Sequence, residues 1–349
     1  MIDVKLVESL SNAFGPSGFE SEIRNLIEKK IKRYVDKIEK DSFGNLIAVK
    51  KGTSPLKVMV AAHMDEVGFS VKYIDDNGFL RFTRLGSTDE RILIGCKVKI
   101  RTSKGFVRGV IGSKPPHLLK EEEKKKVIEF EKLFIDVGAP SKKEVTKMGI
   151  NIGDPIVFDS EFTRFGNLIA GKAFDDRLGC AVLIEIARML KKPKPTVYLV
   201  ATTQEEVGLK GARVVSYKID PALCLVIDTT IAGDHPEIEK YEAPVKIGKG
   251  PSLGLVEGGG RGAIMSPEIR ELLISAAKSK KIPYQIEVQE GGMTDAAIVQ
   301  LTKEGVPAGA IGIPTRYIHS PASVASLNDV EHTVELIIEA IKRANKFFK

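Results

Sequence analysis

"TVYLVATTQEEVGLKGA", residues 196–212, decides how this chain folds. Its first half is an apolar, partly β-branched run of strand length, and it ends in two adjacent glutamates. A strand that is apolar on both faces belongs in the middle of a sheet, so its end is the lip of the core. Glu205 and Glu206 lose hydration there and repel one another, an arrangement that needs positive charge nearby.

The same pattern recurs on both sides of this stretch. "LKVMVAAHMD" (56–65) is a buried run ending in His63 and Asp65, and "LCLVID" (223–228) is another ending in Asp228. "AGAIGIP" (308–314) and "YQIEVQ" (284–289) read as further strands. Helical patterns alternate with them, at "DRLGCAVLIEIARMLKK" (176–192), "PEIRELLISAAKSKK" (267–281), "TDAAIVQLTKEG" (294–305) and "DVEHTVELIIEAIKRANKFF" (329–348). Near the start, Ile23, Leu26, Ile27, Ile31 and Tyr34 follow helical spacing after a Gly/Pro turn, "FGPSGFE" (14–20). Alternation of this kind predicts an α/β fold, a mixed sheet covered by helices on both faces.

Between about 68 and 160 the character changes. "GFSVKYI", "GFLRFTRL", "KVKIRT", "GFVRGVIGS" and "LFIDVGA" are short strand-like runs separated by Gly, Asp and Asn turns, and only "SKKEVTKMG" (141–149) suggests a helix. A small β-barrel or sandwich is expected there. The division is 1–68 with 162–349 as the main domain, and 69–161 as an inserted β-rich unit.

Composition narrows the function. No run approaches the roughly 18 apolar residues of a membrane span, and "MIDVKLVESLSNAF" lacks a continuous apolar leader, so a cytoplasmic protein without a membrane partner is expected. The net charge of +7 comes from lysines interleaved with acids, as in "KEEEKKK" (120–126), which argues against nucleic acid as a partner. Cys96, Cys180 and Cys224 have no partner at C-x-x-C spacing, which predicts reduced thiols and no thiolate zinc site.

Ligands of open α/β sheets gather outside the carboxyl ends of the strands. His63, Asp65, Glu205, Glu206 and Asp228 all fall there, and Asp175 in "AFDDR" and His319 in "RYIHS" sit in linkers able to join them. Singly, each reads as a turn or capping residue. Together they form a cluster of carboxylates and imidazoles that divalent cations would neutralise, and a mixed His/Asp/Glu set suits zinc, cobalt or manganese. The count fits two ions per subunit. His63, Asp175 and Asp228 would hold one, and Glu206, Asp175 and His319 the other, with Asp175 bridging. Asp65 is placed to fix the His63 tautomer, and Glu205 is left free as general base on a water that the ions activate.

"AAHMDEVGF", "AFDDR", "QEEVGLKGA", "VIDTT" and "RYIHS", in this order, resemble the M42 (glutamyl aminopeptidase) family of metallo-aminopeptidases, which includes the TET and deblocking enzymes. The resemblance implies a zinc-peptidase-like catalytic domain and a PDZ-like insertion that mediates dimer contacts. It also implies a tetrahedral dodecamer, and removal of N-terminal residues from short peptides in the cytosol. The same seven residues take the roles above. "GGMTDAAI" (291–298) departs from the family's glycine-rich motif at Met293 and Ala297. Asp295 within it is a candidate for holding the substrate amine. Arg261, in the glycine run "GLVEGGGRGA", is a candidate for an acidic side chain or a carboxylate. The alternative reading is an N-acyl amino acid deacylase or carboxypeptidase on a related two-metal site. A glycosidase is disfavoured, because adjacent Glu205 and Glu206 cannot flank a sugar from opposite sides.

Overall fold

The computed structural model describes residues 2–348. Four parallel strands form the centre of a mixed sheet, in the spatial order Thr196–Thr202, Lys57–His63, Leu223–Ile231 and Ala308–Arg316. Leu46–Lys50 and Lys37–Lys40 extend it antiparallel on one side. On the other side it continues through Ser323–Ser326, Leu168–Gly171 and Thr163–Phe165, while Ser252–Val256 and Gln285–Val288 branch from Ala308–Arg316.

Side chains alternate across the pleat, so each central strand feeds two cores. Val58, Val60 and Ala62 face one layer, where the helices Val4–Asn12, Phe174–Met189, Pro267–Lys280 and Leu327–Arg343 pack. Met59 and Ala61 face the other, covered by Lys210–Ile219 and the short turn Ala296–Val299. Helices on both faces and the mixed sheet agree with the sequence. The terminal helix shows how sequence sets packing: Ser326 caps it by accepting from the Asn328 N–H, and Val330, Val334, Ile337 and Ile341 recur on its buried face. Each such side chain contributes roughly 1.5–3 kcal/mol through burial.

Gly68–Ile74, Leu80–Leu85, Phe134–Asp136, Gly105–Gly112, Lys97–Thr102 and Pro155–Phe158 close into a six-stranded barrel with its own core around Phe69, Phe82, Ile135 and Phe158. Pro155–Phe158 closes the barrel and is absent from the sequence reading. The expected helix over 294–305 is reduced to Ala296–Val299: beyond it Leu301 and Thr302 make i→i−3 bonds, and positive φ at Lys303 and Gly305 (50° and 102°) then turns the chain away. The acidic–basic run at 120–126 supplies only the exposed turn Glu121–Lys124.

Candidate metal centre

Because the four central strands are parallel, their carboxyl ends open on one edge, and the predicted residues arrive there from separate connections. His63 is the last residue of its strand and is 2% exposed. Its Nδ1 lies 3.2 Å from the backbone oxygen of Asp65 and 3.5 Å from the Asp65 carboxylate. That leaves Nε2 facing Asp175 Oδ1 at 2.9 Å and Asp228 Oδ1 at 3.8 Å. Asp175 lies in a non-helical turn at the entry to the helix Phe174–Met189, with ψ at 107°, and is joined to Asp176 by a cis peptide bond. Its other oxygen, Oδ2, is 3.2 Å from His319 Nε2, which is in turn 3.5 Å from Glu206 Oε1. His319 reaches the edge from a turn in which both it and Tyr317 take a φ of 58°.

Two triads result, His63–Asp175–Asp228 and Asp175–Glu206–His319, each with ligand atoms within 4.8 Å of one another and with Asp175 in both. Glu205 belongs to neither and is 8% exposed beside them. The Glu205 and Glu206 backbones are held by Asp65, whose Oδ1 accepts the Glu205 N–H at 3.1 Å and Oδ2 the Glu206 N–H at 3.2 Å.

The electrostatics show the missing charge. Burial, followed by the nearby Asp175 charge, pushes the Glu206 carboxyl up to about 8. Burial, followed by Asp175, holds Asp228 well above the carboxylate range. Burial and then the neighbouring acids, Asp295 first, do the same to Glu205, although His63 opposes them. Burial works to lower both imidazoles, yet the surrounding carboxylates win: His63 is raised well above its ordinary value and His319 to about 9. Asp175, flanked by both rings, is lowered despite its burial. The cluster therefore holds protons where divalent cations would serve better. Glu206 Oε1 is buried without a hydrogen-bond partner among the described residues. The donors are oxygen and imidazole nitrogen only, a set that fits zinc, cobalt or manganese. Cys180 is not part of it; burial raises its thiol, which donates to the His63 carbonyl.

Asp295 is only 1% exposed: its Oδ2 accepts from Thr202 at 2.6 Å, and burial lifts its carboxyl to about 6. Arg261 is exposed and donates to the Gly258 carbonyl of its own turn. Met293 packs beside the same glycine run, since a Cβ on Gly262 would come 2.9 Å from its Cγ. Three residues escaped the sequence reading. Ser17 donates to Asp65, Glu20 accepts from the Gln204 N–H, and Gly86 of the barrel lies so near Glu206 that a Cβ there would stand 3.3 Å from Oε2. The turn "FGPSGFE" was the only signal for the first two.

A mixed α/β sheet carrying paired carboxylate–imidazole triads at its strand ends defines a zinc-peptidase-like metallopeptidase. Residues 44–336 match the family described as M42 glutamyl aminopeptidase, and the chain belongs to that family. It is 43% identical over 336 residues to a putative aminopeptidase of Acetivibrio thermocellus, covering 96% of this chain and 97% of the relative. Among solved structures it is similar to a TET aminopeptidase from a marine sediment Thaumarchaeota archaeon, with TM-score 0.94, 42% identity and coverage of 97% and 95%. It is also similar to a TET peptidase of Pyrococcus horikoshii that can assemble into a tetrahedron or a large octahedral shell, with TM-score 0.87, 35% identity and coverage of 97% and 98%. The family resemblance drawn from five motifs is thus borne out.

Proposed function

We propose that this chain is a two-metal aminopeptidase that removes N-terminal residues from short peptides, with Glu205 as general base. The observation that carries the proposal is the pair of triads sharing Asp175, with one buried glutamate left outside both. His63, Asp175 and Asp228 would hold one ion, and Glu206, Asp175 and His319 the other. Divalent ions held there would supply Lewis-acid polarisation of the scissile carbonyl and a lowered pKa for the attacking water. Glu205 takes a proton from that water and returns it to the departing amine nitrogen, so the carboxylate is restored at the end of the cycle. Its burial makes it a stronger proton acceptor than an exposed glutamate. Asp65 keeps Glu205 and Glu206 apart in direction by gripping both of their backbone N–H groups.

Family membership favours aminopeptidase over deacylase or carboxypeptidase chemistry. The barrel leaves Ile94, Leu118, Val127 and Ile152 exposed, which suits a role in self-association as dimers and, as for the Pyrococcus horikoshii relative, a tetrahedral shell. Three unpaired cysteines suit a reducing compartment such as the cytoplasm, and none of the described helices is long and apolar enough to cross a membrane.

The test is metal-depleted protein reloaded with zinc, cobalt or manganese and assayed on free-amine and N-blocked aminoacyl chromogenic substrates. Metal-dependent cleavage confined to free-amine substrates is expected. A Glu205→Gln variant should retain its metal and lose at least about 1,000-fold in turnover, a loss at the scale of general acid–base catalysis. Cleavage of blocked substrates alone would sink the aminopeptidase reading, and near-normal turnover of Glu205→Gln would sink the base assignment.

A further inference from the structure

Three consecutive backbone N–H groups, those of Gln204, Glu205 and Glu206, have two carboxylates as their partners, and neither carboxylate belongs to their own turn. Glu20 Oε1 accepts from Gln204 at 3.2 Å, and Asp65 accepts from Glu205 and Glu206. Both carboxylates answer to the segment 15–20. Glu20 is part of it, and its Oε1 also takes the Gly18 N–H at 2.7 Å. Asp65 is oriented by Ser17, whose Oγ donates to Oδ2 at 2.6 Å. Ser17, Glu20 and Asp65 are 4%, 5% and 0% exposed, so these bonds are shielded from bulk solvent.

The segment itself is fixed from below. Gly15 and Glu66 exchange backbone and side-chain bonds, with Glu66 N–H on the Gly15 oxygen at 3.1 Å and Gly15 N–H on Glu66 Oε1 at 3.2 Å. Glu66 is paired with Lys172 and Arg177, both buried, and Arg177 also donates to the Gly15 oxygen. Arg177 stands two residues after Asp175. One rigid chain of contacts therefore runs from the turn that carries Asp175, through the segment 15–20, to the turn that carries both glutamates. Gln204 is held there with φ at 54°, a conformation that a non-glycine residue adopts only at a cost.

We infer that Ser17 is a positioning residue for Glu205, aiming the base by orienting the Asp65 carboxylate that grips the Glu205 and Glu206 backbones. This rests on the reading of Glu205 as base. Partners one step removed from a metal or base are worth about 10–100-fold in activity or affinity.

The experiment compares wild type, Ser17→Ala, Ser17→Cys and Glu205→Gln by steady-state kinetics on the zinc-loaded enzyme. It also measures amide hydrogen exchange in the metal-free protein. Ser17→Ala is expected to lower kcat about 10–100-fold with KM within about twofold, and Ser17→Cys, of similar size but a weaker donor, to fall between. In the metal-free wild type, the Glu205 and Glu206 amides should be protected like those of the central strands, and about tenfold less so in Ser17→Ala. Full kcat in Ser17→Ala beside an inactive Glu205→Gln overturns the Ser17 role and leaves the base intact. A rise in KM at constant kcat, or loop-like exchange of the two amides in the wild type, overturns it as well. An active Glu205→Gln removes the base, and the Ser17 assignment with it.

Discussion

Loading metal into the Asp175–Glu206–His319 triad should discharge two protons at neutral pH. Burial and the adjacent Asp175 charge lift Glu206 to about 8. Burial opposes the charge on His319, but Asp175 and Glu206 outweigh it and raise the ring to about 9. At pH 7 the metal-free site therefore carries a neutral carboxylic acid and an imidazolium, and neither can ligate until it gives up its proton. Protons compete with the metal, so apparent affinity falls as pH falls. It should climb by about two decades per pH unit below 8, by about one between 8 and 9, and level off above 9. From pH 7 to the plateau the gain is about a thousandfold on this reasoning. The assay is calorimetric titration of zinc into metal-free Asp228→Asn protein, which isolates this triad, in two buffers of different ionisation enthalpy. The dependence of the observed heat on the buffer gives the number of protons released. A count near zero at pH 7, or an affinity flat from pH 6.5 to 9, would refute the electrostatic account of the site.

Two further predictions concern the surroundings of the site. Gly86 has φ at 89°, and a Cβ there would sit 3.0 Å from Val67 and 3.3 Å from Glu206. Gly86→Ala should cost about 1–2 kcal/mol in denaturant unfolding and weaken zinc binding, whereas Gly18→Ala, with φ at 87° but open space around it, should show the strain alone; equal metal affinity in the two would show that Gly86 does not shape the site. Arg177→Met strips the buried Glu66 of one partner, leaves the Leu10, Ala13 and Gly15 carbonyls short of a donor, and should cost about 3–5 kcal/mol. A loss under about 1 kcal/mol in urea titration would show the network to be dispensable.

The strand-end residues were legible because a buried apolar run that stops on His63, Asp228 or a Glu–Glu pair is costly unless the ions meet. That cost is a local property of the sequence. Ser17 was not legible, since it meets Asp65 across 48 residues through a hydroxyl that looks like any turn serine. Gly86 was hidden for a similar reason: it belongs to the inserted unit, and only the closed barrel brings it over Glu206. The barrel strand Pro155–Phe158 escaped notice because it is four residues long and opens on a proline, tolerated at the first position of a strand but rarely a strand signal. The helical pattern at 294–305 misled because the residues that bury against the sheet, Ala296 and Val299, lie within one turn, whereas Leu301, which extends the helical spacing, is exposed.

The insertion leaves and rejoins the main domain along neighbouring strands: Phe69 pairs with Ile156. This bears on how the chain finds its fold. The parallel pairing of His63 with Thr202 joins residues far apart in sequence, the kind of contact that slows folding. A barrel that closes first, nucleated by the two hairpins Gly68–Ile74/Leu80–Leu85 and Lys97–Thr102/Gly105–Gly112, already holds residues 69 and 156 side by side. The loop between the two strands is then shortened by about ninety residues before they meet. The largest interruption of the catalytic sheet is, in folding terms, a short turn.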